Sequence, residues 1–279
     1  MAKRMKTITA GPVTKTVVYS MPAPRDPEHV RAAKRKASTA ARRAMNYKSA
    51  VANLELLIAA NFGGADLFCS LTYDDEHLPG PQLSRSEQRA AAKKNLRAFI
   101  ARVRAARQRA GLPFKYIYVT EGLHGDKRLH HHIIINAAGP GDMELIKSQW
   151  VCGFADVEAI RHSYYEPAGN YINYEKLARY MAKERPEERP NGAQMWTRSR
   201  NLARPEVDIV TVPDDMTAAI PPGVHVIEHR EERTEYAAFA FLKYIAPERP
   251  AAPSVPQTGR RRSPGKRVLS PARRQRART

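Results

Sequence analysis

The chain has 279 residues and carries 47 Lys and Arg against 28 Asp and Glu, a formal charge of +19. That length suits one generous domain or two modest ones, and an excess of positive charge this large points to a polyanionic partner, nucleic acid before an anionic membrane. No run of about 18 apolar residues is present and no long apolar stretch follows MAKRMK, which argues against a membrane span and a secretory signal. Cys69 and Cys152 are too few for a four-cysteine zinc site and fit ordinary burial in a reducing compartment, so a cytoplasmic protein is expected.

From the N-terminus, residues 1–62 read as a basic helical extension. VRAAKRKASTAARRAM (30–45) is alanine-rich and helix-prone. It runs into YKSAVANLELLIAANF (47–62), where Val51, Leu54 and Ile58 recur at helical spacing beside Leu57. This predicts one long helix or two short ones, basic and exposed first, docked on the body after. LFCSLTY (67–73) reads as a short strand, and Asp74-Asp75 with Pro79-Gly80-Pro81 as an irregular loop. Ser84 and Glu87 form a capping-box pattern for a helix whose apolar face is Leu96, Phe99, Ile100 and Val103, and which Gly111 and Pro113 end.

KYIYVT (115–120) and the apolar run at 130–136 read as two more strands joined by a hairpin loop. Alternate strand residues face the same side, so His130, His132 and Ile134 share one face and His131, Ile133 and Ile135 the other. If the two strands pair, Glu121 lies near the start of the second. Two imidazoles and one carboxylate would leave open positions on a divalent ion such as Mn, Mg or Zn, as a Lewis-acid catalyst requires. The same histidines also fit partly buried polar residues or a surface patch. No nearby cysteine closes a structural zinc site.

Residues 171–185 (YINYEKLARYMAKER) read as a helix with an apolar stripe of Tyr174, Leu177, Ala178 and Met181. Lys176, Tyr180 and Lys183 form a separate stripe. Phenol is a poor nucleophile at its usual pKa of about 10, and neighbouring cations improve it; an ordinary amphipathic helix has the same spacing. Farther on, Arg198, Arg200 and Arg204 surround Trp196, a group able to hold phosphate and stack a base, or else a basic loop with an anchoring tryptophan. EVDIVTV (206–212) and GVHVIEH (223–229) read as strands, and EERTEYAAFAFLKYI (231–245) as a helix. Residues 260–279 hold nine Lys and Arg and no acid, so 249–279 reads as a disordered basic tail that binds phosphates without reading sequence, or only aids solubility.

In order, LFCSLTYDD (67–75), YVTEGLHGDKRLHHH (118–132), SQWVCGFADVE (148–158) and LARYMAKE (177–184) resemble the motifs of the HUH-motif rolling-circle replication initiators, the replication-associated proteins of phages and plasmids. The resemblance covers about residues 45–205. It implies that Glu121, His130 and His132 bind a divalent ion, Mn or Mg, and that Tyr180 attacks the scissile phosphate with the help of Lys183. It implies nicking and rejoining of single-stranded DNA at an origin through a 5′-phosphotyrosine, with a host helicase and polymerase as partners in a bacterial cell. Lys176, Arg179, Arg198 and Arg200 are the expected DNA contacts. The sequence departs from the pattern in placing His131 between the paired histidines and Leu129 where proline is common. With Lys176 four residues before Tyr180, a single-tyrosine mechanism is implied. Tyr164, Tyr165, Tyr171 and Tyr174 are reserve nucleophiles, Tyr174 the least attractive.

The expected architecture is α+β: an antiparallel sheet with helices on one face, HUH-like, at 63–190, with the metal site on the other face. The extension 1–62 precedes it, 191–248 adds strands and a helix packed on it, and the tail follows. A transposase or relaxase, and a non-catalytic nucleic-acid-binding protein with structural histidines, are the competing readings.

Overall fold

The computed structural model describes residues 3–20, 40–122, 128–183, 194–233 and 238–246. Residues 3–20, expected within a helical extension, form a β-hairpin instead: β1 (Lys3–Ala10) and β2 (Val13–Ser20) pair antiparallel around Gly11-Pro12. The reason lies in the Thr and Val that alternate with lysine along both segments, because β-branched residues suit a half-buried pleated surface. Gly11 has φ +54°, and a Cβ there would lie 2.2 Å from the carbonyl oxygen of Ala59, so the turn needs glycine. Helix α1 (Ala40–Ala59) follows, with Val51, Leu54, Leu57 and Ile58 buried as the spacing predicts. The basic segment 30–39 lies outside the described residues, as does the tail 249–279.

The central layer starts with β3 (Leu67–Thr72). Helix α2 (Arg85–Arg109) begins at the expected capping box: Ser84 Oγ accepts from the Glu87 N–H, and the Glu87 carboxylate accepts from the Ser84 N–H at 2.8 Å. Leu96, Phe99, Ile100 and Val103 are buried, each contributing about 1.5–3 kcal/mol relative to exposure. Then come β4 (Tyr116–Glu121), β5 (His130–Ile135), α3 (Asp142–Gln149) and β6 (Ala155–Ala159). The short α4 (Ile160–Tyr164) leads into a two-stranded pair, β7 (Tyr165–Glu166) and β8 (Tyr171–Ile172). Helix α5 (Tyr174–Met181) starts three residues later than the sequence reading places it, because the Asn173 side chain accepts from the Lys176 N–H at 2.9 Å and caps it there. Residues 184 and 185 lie outside the described residues.

The chain closes with β9 (Thr197–Arg198), β10 (Glu206–Val212), β11 (His225–Arg233) and β12 (Ala238–Ile245). Here the expected helix at 231–245 is overturned. The segment spans the end of β11 and all of β12, which pair antiparallel, and β12 also pairs with β2. Its alanines suggest a helix, but AFAFLKYI alternates with period 2: Ala240 and Leu242 are buried on one side while Phe239 and Phe241 stack on the other.

Two antiparallel five-stranded sheets result, with orders β10-β1-β2-β12-β11 and β6-β3-β5-β4-β9. The α+β class of antiparallel sheets with helices is as expected. Of the second sheet, one face carries Cys69, Leu71, Ile133 and Ile135 against α2 and α3. The other carries Phe68, Ile117, Val119 and Ile134 against α1 and α5, in a core that also takes in Ala10, Val13 and Ile245 of the first sheet. Helices therefore cover part of both faces. Among the described residues no helix is long and apolar enough to cross a membrane.

Candidate metal centre and tyrosine site

β5 is the middle strand of its sheet, and its register decides what can meet. Glu121 of β4 and Thr72 of β3 lie opposite His130, while Val119 and Ser70 lie opposite His132. His130, His132 and Ile134 point toward α1 and α5; His131, Ile133 and Ile135 point toward α2 and α3.

On the first face, ligand atoms of Glu121, His130 and His132 all lie within 4.8 Å of one another. His130 Nε2 is 3.3 Å and His132 Nε2 3.9 Å from Glu121 Oε2, and the two Nε2 atoms are 3.2 Å apart. The other ring nitrogens are engaged: His130 Nδ1 with the Arg128 carbonyl at 2.8 Å, His132 Nδ1 with Ser70 Oγ at 3.1 Å. Such outer contacts fix ring orientation and leave Nε2 for a ligand. The carboxylate is 2 % exposed, and its Oε1 is buried without a hydrogen-bond partner. An orphaned carboxylate oxygen beside two convergent imidazole nitrogens fits a cation, so these residues can hold a metal ion.

The charge states agree with that use. Burial, reinforced by His130 and Lys183 and opposed by Glu121, pushes His132 down to about 4, so it is neutral and ligand-competent at neutral pH. The hydrogen bond to Glu121 holds His130 above its ordinary value. For Glu121, burial raises the pKa, but His130, His132 and Lys183 together outweigh it and hold the carboxyl below its usual range.

Helix α5 brings Tyr180 to the same face. Its buried stripe of Tyr174, Leu177, Ala178 and Met181 fixes the roll of the helix, leaving Tyr180 40 % exposed. The Tyr180 ring lies 5.0 Å from the His132 ring, and Phe68 packs against both. Lys183 Nζ is 3.8 Å from the Tyr180 ring centroid and 3.1 Å from Glu121 Oε2. The structure thus gathers Glu121, His130, His132, Tyr180 and Lys183 at one place. Of the reserve tyrosines, only Tyr164 borders it, with its ring 6.4 Å from that of Tyr180, and burial raises its phenol pKa. Tyr174 is buried and donates to the Phe62 carbonyl, Tyr165 donates to Asn170, and Tyr171 packs on His225.

The expected DNA contacts are spread out. Lys176 is exposed one turn before Tyr180. Arg179 is exposed but paired with Glu175 at 2.6 Å. Arg198 lies opposite Ile117, four residues along β4 from Glu121 and hence about 13 Å away. Arg200 is exposed near Arg104, Phe114 and Tyr116, at that same distant end of the sheet. Trp196 is partly buried against the α1–α5 core, as an anchor is.

Sequence reading missed Phe68 and Ser70, although their alternation with Thr72 on β3 marks a common face; only strand order shows that this face borders β5. It also missed Lys243. This buried β12 lysine bonds Glu55 of α1 at 2.5 Å and Glu175 of α5 at 2.7 Å, tying the tyrosine helix to the first sheet. His131 sits on the opposite face, where Tyr73 Oη and Thr120 Oγ1 each meet a ring nitrogen at 2.9 Å.

Residues 66–185 match the family model described as replication-associated protein of the ORF2 type, a match that supports a replication initiator with DNA as its partner. No curated protein and no solved structure matches the chain. The matched segment runs from β3 to just beyond α5 and contains all the clustered residues.

Proposed function

We propose that this protein initiates replication by nicking and rejoining single-stranded DNA through a tyrosine-linked intermediate. The carrying observation is the placement of the Tyr180 ring 5.0 Å from His132, on the face where Glu121, His130 and His132 converge, within a segment that matches replication-associated proteins. A divalent ion held by those three residues, Mn or Mg by its mixed oxygen and nitrogen donors, supplies Lewis-acid stabilisation of the phosphate's charge.

The chain's own groups do the rest. The Tyr180 oxygen bonds to phosphorus as the bond from phosphorus to the 3′ oxygen breaks, and the phenol proton ends on the released 3′ hydroxyl. Lys183, beside the Tyr180 ring and Glu121, offsets the charge that builds on the phenol oxygen. Rejoining reverses the step: a 3′ hydroxyl attacks and the phosphotyrosyl bond breaks, so no external energy source is needed. Lys176, exposed on the turn before Tyr180, is placed to hold a neighbouring phosphate. Arg179, Arg198 and Arg200 are proposed to contact the strand farther from the chemistry.

The test is incubation with single-stranded origin-like DNA and Mn, followed by a denaturing gel and peptide mapping. We expect a covalent adduct on Tyr180, lost in Tyr180→Phe and in excess chelator while DNA binding persists. An adduct that survives Tyr180→Phe moves the nucleophile elsewhere, with Tyr164 next to be mapped.

A further inference from the structure

Phe154 is 69 % exposed and packs in none of the apolar clusters, yet the backbone that carries it is tightly built. The Phe154 carbonyl accepts from the Thr72 N–H at 2.9 Å and from Thr72 Oγ1 at 3.2 Å. Just before it, the Cys152 carbonyl accepts from the Asp74 N–H, and Trp150 Nε1 donates to the Thr72 carbonyl. Gly153 has φ +144°, and a Cβ there would lie 2.4 Å from the Thr72 carbonyl oxygen, so only glycine lets the loop come this close.

That pairing sets the direction of the ring. Ala155 and Val157 face the α2 layer, so Phe154 and Asp156 face the side of Ser70 and His132. Phe154, Thr72, His130 and Glu121 form one row across β6, β3, β5 and β4. Two strand spacings, about 10 Å, separate the ring from His130. A lone exposed phenylalanine ordinarily needs no explanation. This one is held in a pinned loop, in line with the convergent histidines, on a chain of charge +19. Its companion on that face of β6 is Asp156, an exposed acid. An aromatic ring beside a carboxylate receives a base better than a phosphate.

We propose that Phe154 is a stacking platform for a base of single-stranded DNA flanking the phosphate at Tyr180; this rests on the nucleic-acid reading above. Stacking on an aromatic side chain tolerates any base. It would hold the strand across the sheet so that the adjoining phosphate lies over His130 and His132.

The test measures binding of a labelled oligothymidylate to the full chain, its Phe154→Ala variant and its Phe154→Trp variant, in chelator so that cleavage does not intervene. We expect Phe154→Ala to weaken binding by about 5- to 150-fold with an unchanged salt slope, since phosphate contacts are kept. Phe154→Trp should restore affinity, and its added indole emission should be quenched by the oligonucleotide. Equal affinity of Phe154→Ala and the parent overturns the proposal, as does an equal loss in Phe154→Trp. Self-association that Phe154→Ala abolishes while DNA affinity stays put would make this a protein interface and also overturn it. If the parent binds no oligonucleotide, the functional reading falls too; if it binds and nicks with Phe154→Ala unaffected, only the stacking role falls.

Discussion

His131 offers the sharpest energetic test of the structure. Its ring is fully buried between Tyr73 and Trp150, with a hydroxyl on each nitrogen, and burial drives its pKa from 6.5 down to about 3. Above pH 6.5 the ring is neutral in both folded and unfolded chains, and its titration contributes nothing. As pH falls below 6.5 the unfolded chain takes up a proton that the folded chain refuses, so stability is lost until the pH reaches about 3. The slope is about 1.4 kcal/mol per pH unit, and the whole loss about 4–5 kcal/mol. His131→Gln removes the titration and keeps at most part of the hydrogen bonding, leaving a hydroxyl unpaired at a cost of about 1–3 kcal/mol at pH 7. Urea unfolding of parent and variant should be followed by tryptophan emission at pH 7, 6, 5 and 4, in chelator to remove stabilisation by bound metal. The variant should be the weaker at pH 7, and the gap should close and then reverse by pH 4. A gap that is the same at pH 7 and pH 4 refutes the buried neutral imidazole.

Ser70→Ala removes the hydroxyl bonded to His132 Nδ1 and should weaken Mn binding about 10- to 100-fold by titration calorimetry, with thermal stability little changed; unaltered affinity would show that the ring needs no such support. Arg107→Met strands the buried Asp142 carboxylate that the arginine meets at 2.6 Å, and should cost about 3–5 kcal/mol in chemical denaturation. Adding Asp142→Leu should recover much of that loss, and a double variant as weak as the single would contradict it. Gly153→Ala should cost about 1–3 kcal/mol, because a Cβ meets the Thr72 carbonyl and φ is positive; a melting temperature equal to the parent's would mean that the loop relaxes freely.

The sequence discloses those parts of the fold that depend on local patterning. The capping box at Ser84, the buried face of α2 and the apolar stripe of α5 all follow from spacing along one segment. So does the division of the histidine run between two faces, because a strand's alternation is local. Hidden are features that need a partner strand. β1 and β2 mix lysine with threonine and valine, and their strand character shows only when they are laid beside β10 and β12. β12 misleads because alanine favours a helix while the segment's period of 2 favours a strand. The support of His132 by Ser70 and the alignment of Phe154 with the histidines exist only through the order β6-β3-β5-β4.

The triad of Glu55, Glu175 and Lys243 bears on how the molecule can be divided. Residues 66–185 hold the convergent histidines and the phenol, but Glu55 precedes that stretch and Lys243 follows it. Cut down to those residues, the chain would strip the ammonium from Glu175 and bare the oily underside of α5, where Leu177 and Met181 press against α1. The two termini, though remote from the phosphate, act as a vice on the helix that delivers the phenol.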